Sequence, residues 1–165
     1  MRFDRFTIRG QEAVQAAIGV AERNQNQQVE PEHLLLAMLE QKEGVVRPIL
    51  GKIGVNVAAV TTELQASIEK LPKVSGGQQY FSSRTNTIFQ DVQKVAEGME
   101  DEYISTEHLL ITIAAEKTGD AGRYVFDRST KLGATAVAPG TSVASIVAED
   151  SDGKLALFSS EQIFT

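Results

Sequence analysis

Apolar side chains recur at helical spacing near the start of the chain. Ala13, Val14, Ala17, Ile18 and Ala21 are set to line one face of a 3.6-residue turn. Thr7 precedes the stripe, and its hydroxyl can cap the helix by accepting a backbone N–H. Residues 24–28 form a polar break. A second helix follows, with Pro31 in its first turn, where a missing N–H costs nothing. Glu32 sits beside it, where the helix dipole favours a carboxylate, and Leu34, Leu35, Met38 and Leu39 make the face to be buried. Residues 45–53 read as a short helix ended by Gly54. Asn56 caps a fourth helix whose stripe is Val57, Val60, Leu64, Ile68 and Leu71.

The pattern then begins again. Ile88, Phe89, Val92, Val95 and Ala96 repeat the first stripe, Ser82 takes the place of Thr7, residues 99–102 repeat the polar break, and Ser105 caps the next helix. The two stretches align without a gap at an offset of 75 positions. Phe6/Phe81, Arg9/Arg84, Gln15/Gln90, Glu22/Glu97, Glu32/Glu107, His33/His108 and Leu34/Leu109 are identical pairs. A duplicated helical unit makes two bundles about a pseudo-twofold seam, and seams are places where ligands bind. The fold class predicted is therefore all-α, two four-helix repeats related by a pseudo-twofold axis. Residues 1–72 make the first repeat and 73–80 the linker, with Gly76-Gly77 inside it. Residues 81–128 make an incomplete second repeat, in which 120–126 suit a third helix. Residues 129–165 diverge toward Gly, Ala, Thr, Ser and Val, with Pro139-Gly140 as a breaker. Within this tail, 143–148 and 155–158 flank Asp150-Ser151-Asp152-Gly153, which reads as a β-hairpin or as a disordered tail. A ribbon of two strands is marginal alone, so a hairpin here requires packing on the helices.

Composition narrows the function. At 165 residues and 42% hydrophobic, the chain can bury a core. It contains no cysteine, which removes disulfides and thiolate chemistry. A formal net charge of −6, no tryptophan and 6% aromatics argue against nucleic acid. No basic start leads into an apolar run and no apolar run is of membrane length, so a soluble, cytoplasmic domain without signal peptide is expected.

MRFDRFT at the start, VEPEHLLLAMLE, the ILGKIGVN turn and YISTEHLL resemble the Clp N-terminal domain, a double repeat of four helices each. The likeness covers roughly residues 1–126, and the opening and first repeat are most similar to the ClpB/Hsp100 class of disaggregases. The resemblance implies a binding module, not an enzyme: a domain that recognises unfolded or aggregated polypeptide and hands it to an ATP-driven ring working with an Hsp70-type system. The alternative is a stand-alone accessory protein docking on a Clp protease or adaptor. No phosphate-binding G-x-x-x-x-G-K-[ST] occurs, so ATP belongs to the family's motor modules and no cofactor is expected in this chain. An excised domain, a stand-alone member and a frame that diverges after Arg123 all fit the odd tail. A monomer, with neither nucleic acid nor membrane as partner, is the expectation.

Candidate site residues follow from the same likeness. Thr7, Asp101 and Glu107 match family positions linked to substrate handling. A hydroxyl and two carboxylates near a helix end suit the N–H groups or basic side chains of an extended peptide. Each also has a structural reading: Thr7 as a cap, Glu107 as a dipole partner, Asp101 as one of three adjacent solvated acids. Phe89 and Leu109 are candidates for an apolar groove between the repeats, with Tyr80, Phe81 and Ile104 nearby; Phe89 at helical spacing equally suits the core. His33 and His108 are the only histidines. Neighbouring helix residues point about 100° apart, so Glu32 and His33 are poorly placed to share a metal. An imidazole bonded to a backbone carbonyl at the repeat junction is the expected arrangement. No nucleophile–base pair stands out by motif.

Overall fold

A computed structural model describes residues 3–52, 55–116, 119 and 121, together with the strands 145–149 and 155–159. The elements in chain order are α1 (Ile8–Arg23), β1 (Gln28–Val29), α2 (Pro31–Glu40), α3 (Val46–Lys52), α4 (Val57–Glu69), β2 (Tyr80–Phe81), α5 (Ser83–Gly98), α6 (Thr106–Ala115), β3 (Ser145–Glu149) and β4 (Leu155–Ser159). Helices α1 and α5 have 16 residues each, and α2 and α6 have 10; each pair starts 75 positions apart, so the duplication in sequence is one of structure.

The caps explain why the copies begin and end together. Thr7 Oγ1 accepts the Gly10 N–H at 3.1 Å, and Ser82 Oγ accepts the Thr85 N–H at 3.1 Å. At the other end, Gln25 and Glu100 take left-handed φ values of 58° and 59°. Each closes the helix by a Schellman pattern: Gln25 and Glu100 donate to Glu22 and Glu97 at 3.0 Å, and Asn26 and Asp101 donate to Ala21 and Ala96 at 2.9 Å. Neither position is a glycine, so the polar break of the sequence is an ordered stop. Asn56 caps α4 as expected, accepting the Ala59 N–H at 3.1 Å.

Helix α1 packs on α2, α5 on α6, and α2 meets α6 across the seam. Every residue of α2 from Pro31 to Leu39 is buried, the mark of a central helix. Its twin α6 is buried from Thr106 to Ala114 except at Glu107.

Two crossed pairings tie the copies. Strands β1 and β2 are parallel, with Val29 opposite Phe81, and a parallel bridge sets Phe6 opposite Ile104. These are twins under the same offset: the start of each repeat pairs with the helix–helix loop of the other. Strands β3 and β4 form an antiparallel ribbon, Ser145 opposite Ser159 through Glu149 opposite Leu155, and β3 runs against α6. The two tail segments pair as strands, and a helix lies against the first of them. The expected cap at Gly54, the breaker at Pro139-Gly140, the turn at Asp150-Ser151-Asp152-Gly153, and most of the third helix at 120–126 lie outside the described residues.

Candidate functional site

The apolar groove is not where the sequence placed it. Phe89 is 1% exposed and Leu109 0%. Phe89 lies at the centre of an edge-to-face cluster, its ring 5.0 Å from Phe81, 5.3 Å from Phe3 and 6.2 Å from Phe6. The crossed pairings bring the twin phenylalanines, Phe6 and Phe81, onto Phe89, and Phe3 covers it from the chain start. Edge-to-face contacts of this kind add to ordinary burial. Ile104 is buried as well. Phe89 and Leu109 are core residues, and the seam is closed by its own side chains.

Polar candidates remain at the surface. The Thr7 N–H donates to the Ile104 carbonyl at 2.9 Å, and the Ile104 N–H donates to the Arg5 carbonyl at 2.8 Å. Arg5 reaches along the same loop to the Glu102 carbonyl at 3.2 Å. The bridge thus brings Thr7 from one repeat against the 101–107 segment of the other, which carries Asp101 and Glu107. Two apolar side chains flank this junction in the chain, Ile8 at 75% and Tyr103 at 53% exposure. Thr7 is half-buried, with its hydroxyl engaged as a cap.

Asp101 is fixed by a histidine. His108 Nδ1 accepts the Ser105 N–H at 2.9 Å, and His108 Nε2 lies 2.8 Å from Asp101 Oδ2. A ring accepting at Nδ1 and donating at Nε2 is neutral. In the twin, His33 Nδ1 accepts the Glu30 N–H at 2.8 Å and Nε2 lies 2.9 Å from Asn26 Oδ1. Both imidazoles bond a backbone N–H, not the carbonyl the sequence suggested, because the unpaired donors at a helix N-terminus lie within reach of the third helical residue. Burial holds His33 at about 4, below its ordinary range; Glu32 opposes that shift and Lys73 adds to it. Among the described residues, no group of three or more His, Asp or Glu side chains is placed to hold a metal.

The sharpest difference between the copies concerns Glu32 and Glu107, twins in the first turns of α2 and α6. Glu32 takes the Arg84 guanidinium in a two-point bond of 3.1 and 3.3 Å; Glu30 adds a contact at 3.0 Å and Glu116 one at 2.8 Å. Burial works against the charge on Arg84, but the bonds to Glu116 and Glu32 outweigh it and raise the guanidinium's pKa. Burial raises Glu30, with Arg84 pulling it down and Glu32 pushing it up. The twins of these four residues are Arg9, Glu107, Ser105 and Gln41. Two of the three carboxylates are missing there. The Gln41 amide turns to the Arg9 carbonyl at 3.0 Å, and the Arg9 side chain lies 3.6 Å from Glu12 on its own helix. Glu107 is left half-buried, with no ion pair or side-chain hydrogen bond among the described residues. The Arg84 cluster escaped sequence reasoning; the identity of Arg9 and Arg84 beside unlike partners at 41 and 116 was the available signal.

Solved structures share this fold, and relatives share part of the sequence. The N-terminal domain of Hsp104 from Candida albicans superposes with a TM-score of 0.59 at 16% identity, over 67% of this chain and 74% of that one. The ClpV N-domain, solved in complex with a VipB peptide, gives 0.63 at 18% identity, over 79% and 78%. At such identities the likeness is one of fold. Chaperone protein ClpB of Porphyromonas gingivalis is 39% identical over 113 residues, which are 68% of this chain but 13% of the relative's length. No helix among the described residues is long and apolar enough to cross a membrane. Residues 5–126 match the Clp repeat (R) N-terminal domain, and the chain belongs to that family.

Proposed function

We propose that this chain is the polypeptide-recognition domain of an ATP-driven chaperone, and that it binds unfolded or aggregated protein at the surface carrying Thr7, Asp101 and Glu107. One observation carries the reading. Among the described residues Glu107, in the first turn of a helix, has no side-chain partner, and its twin Glu32 holds a guanidinium in a two-point bond. The same position in the other copy therefore displays the chemistry Glu107 is suited to: an arginine or lysine side chain from an extended polypeptide, bound by a charge-assisted hydrogen bond. Ile8, next to Thr7 in the chain, and Tyr103, next to Ile104, are exposed apolar side chains, and recognition of non-native chains requires such surface. With the seam closed by the phenylalanine cluster, binding rests on this mixed surface and is weak and tolerant of sequence. Delivery of the bound chain to an ATPase ring, in concert with an Hsp70-type system, completes the reading.

The test is the affinity of the domain for reduced, unfolded α-lactalbumin, followed by fluorescence anisotropy. Glu107→Gln keeps the shape and removes the charge; it should weaken binding by roughly tenfold, the lower end of what one charge-assisted bond contributes, with the melting temperature unchanged. Thr7→Ser preserves the cap, so its melting temperature should equal the parent's. Unaltered affinity in Glu107→Gln overturns the Glu107 surface as the binding site, and absence of binding by the parent chain overturns the reading itself.

A further inference from the structure

The linker between the repeats encloses a pocket on a different part of the surface. It has a volume of about 150 Å³, with Leu71, Pro72, Val74 and Tyr80 as its apolar wall and Gln27 and Gln28 beside them. The wall is held in place before any ligand arrives. The Val74 N–H donates to the Gln25 carbonyl at 2.8 Å, the Tyr80 N–H to the Gln27 carbonyl at 3.0 Å, and the Gln28 amide to the Tyr80 hydroxyl at 3.0 Å. Gly76 takes a φ of +78° as the linker turns, and a Cβ on Gly77 would come within 2.7 Å of Gln27 Nε2, so the glycine pair lets the linker close over the Gln27 side chain. Val74 is 43% and Tyr80 50% exposed. The Gln27 carboxamide is half-buried and has no hydrogen bond among the described residues.

We propose that this pocket is a second polypeptide-docking point, one that takes an uncharged extended segment: an apolar side chain enters between Leu71, Pro72 and Val74 while the neighbouring peptide group pairs with the Gln27 carboxamide. The inference rests on the reading that the chain binds non-native polypeptide, and it adds a site with different chemistry. Three observations select the occupant. A carboxamide carries the same donor and acceptor as a peptide group, so Gln27 matches main chain. Cavities of about this size hold a benzene-sized group, which suits one aliphatic or aromatic side chain. The charge is also right. Residues 26–28 are the twins of 101–103, and Asn26 and Gln27 stand where Asp101 and Glu102 stand, so two acids of the second repeat's loop are carboxamides here. Glu30, the one acid at the pocket, is already paired with Arg84. A cationic segment favours the Glu107 surface and a neutral one favours the pocket.

The test uses the same unfolded α-lactalbumin with the full chain. Val74→Asp puts a charge on the apolar wall and should weaken binding roughly fivefold; Gln27→Leu removes the amide at similar volume and should weaken it roughly threefold. Both positions are at least partly exposed, so melting temperatures should hold. Amide resonances of residues 25–28 and 71–80 should shift on titration, and should still shift in Glu107→Gln. If Val74→Asp and Gln27→Leu bind like the parent and these resonances stay fixed while Glu107→Gln loses affinity, the pocket is overturned and the Glu107 surface stands. If Glu107→Gln alone is without effect, the pocket stands and the charged site fails. Absence of binding by the parent chain overturns both.

Discussion

His33 and His108 occupy twin positions and make twin bonds to backbone, yet one faces an amide and the other a carboxylate. That difference of one residue, Asn26 against Asp101, separates a structural imidazole from one that orients a surface acid. His33 is neutral and buried in the folded state and is held near 4, whereas in the unfolded chain it titrates near 6.5. Between those values the unfolded state binds the extra proton, so acid favours unfolding. The stability His33 confers is present above pH 6.5 and is lost as pH falls toward 4, by roughly 3 kcal/mol. Glu30, raised by burial, works in the opposite sense and returns part of that loss near its own titration. Urea unfolding at pH 7 and pH 4.5 should show the parent losing stability and His33→Gln losing less; equal losses would remove His33 from the acid response.

At the scale of the element, α5 shows how one residue fixes a helix. Its stripe of Thr85, Ile88, Phe89, Val92 and Ala96 is buried, and Phe89 is where the chain start, the second repeat's opening and the seam converge. Phe89→Ala leaves a cavity among three other rings that the crossed pairings prevent from collapsing, and should cost about 3–5 kcal/mol in urea unfolding. A change below about 1 kcal/mol, with a loss of polypeptide binding, would restore the open groove that the structure excludes. Much of α5 was legible: the period of its apolar residues, its cap at Ser82 and its relation to α1. Its stop was not. Gln25 and Glu100 are residues that seldom adopt a left-handed φ, and only the pairing of Asn26 with His33, and of Asp101 with His108, shows why the chain turns there.

Across the whole molecule, the copies are joined by the two crossed pairings, the phenylalanine cluster and the Arg84 cluster. Three mostly buried carboxylates surround one guanidinium, and the cluster ties the start of α5 to the start of α2 and the end of α6. Removing the cation strands the acids. Arg84→Met should cost about 3 kcal/mol at neutral pH. The loss should shrink as pH falls through the raised pKa of Glu30, because a protonated acid no longer needs the cation. Arg9→Met, at the twin position, should stay within about 0.5 kcal/mol of the parent. Equal effects of the two substitutions in denaturant titrations would mean that the cluster does not hold the repeats together.

The sequence by itself determined the helices, their caps and their duplication, because apolar period and capping chemistry are local and each copy states them independently. It also identified Thr7, Asp101 and Glu107 as residues to examine, through likeness to a family. Only the tertiary structure decided which side chains face solvent. Phe89 and Leu109 carry the same apolar signal whether they line a groove or fill a core, and the choice depends on what the other repeat brings against them. Likewise, Glu32 and Glu107 are one residue written twice, and the partner that closes the first and leaves the second open sits more than 50 positions away in the chain from Glu32. Burial and pairing are properties of contacts between distant segments, and those contacts exist only once the two copies have met.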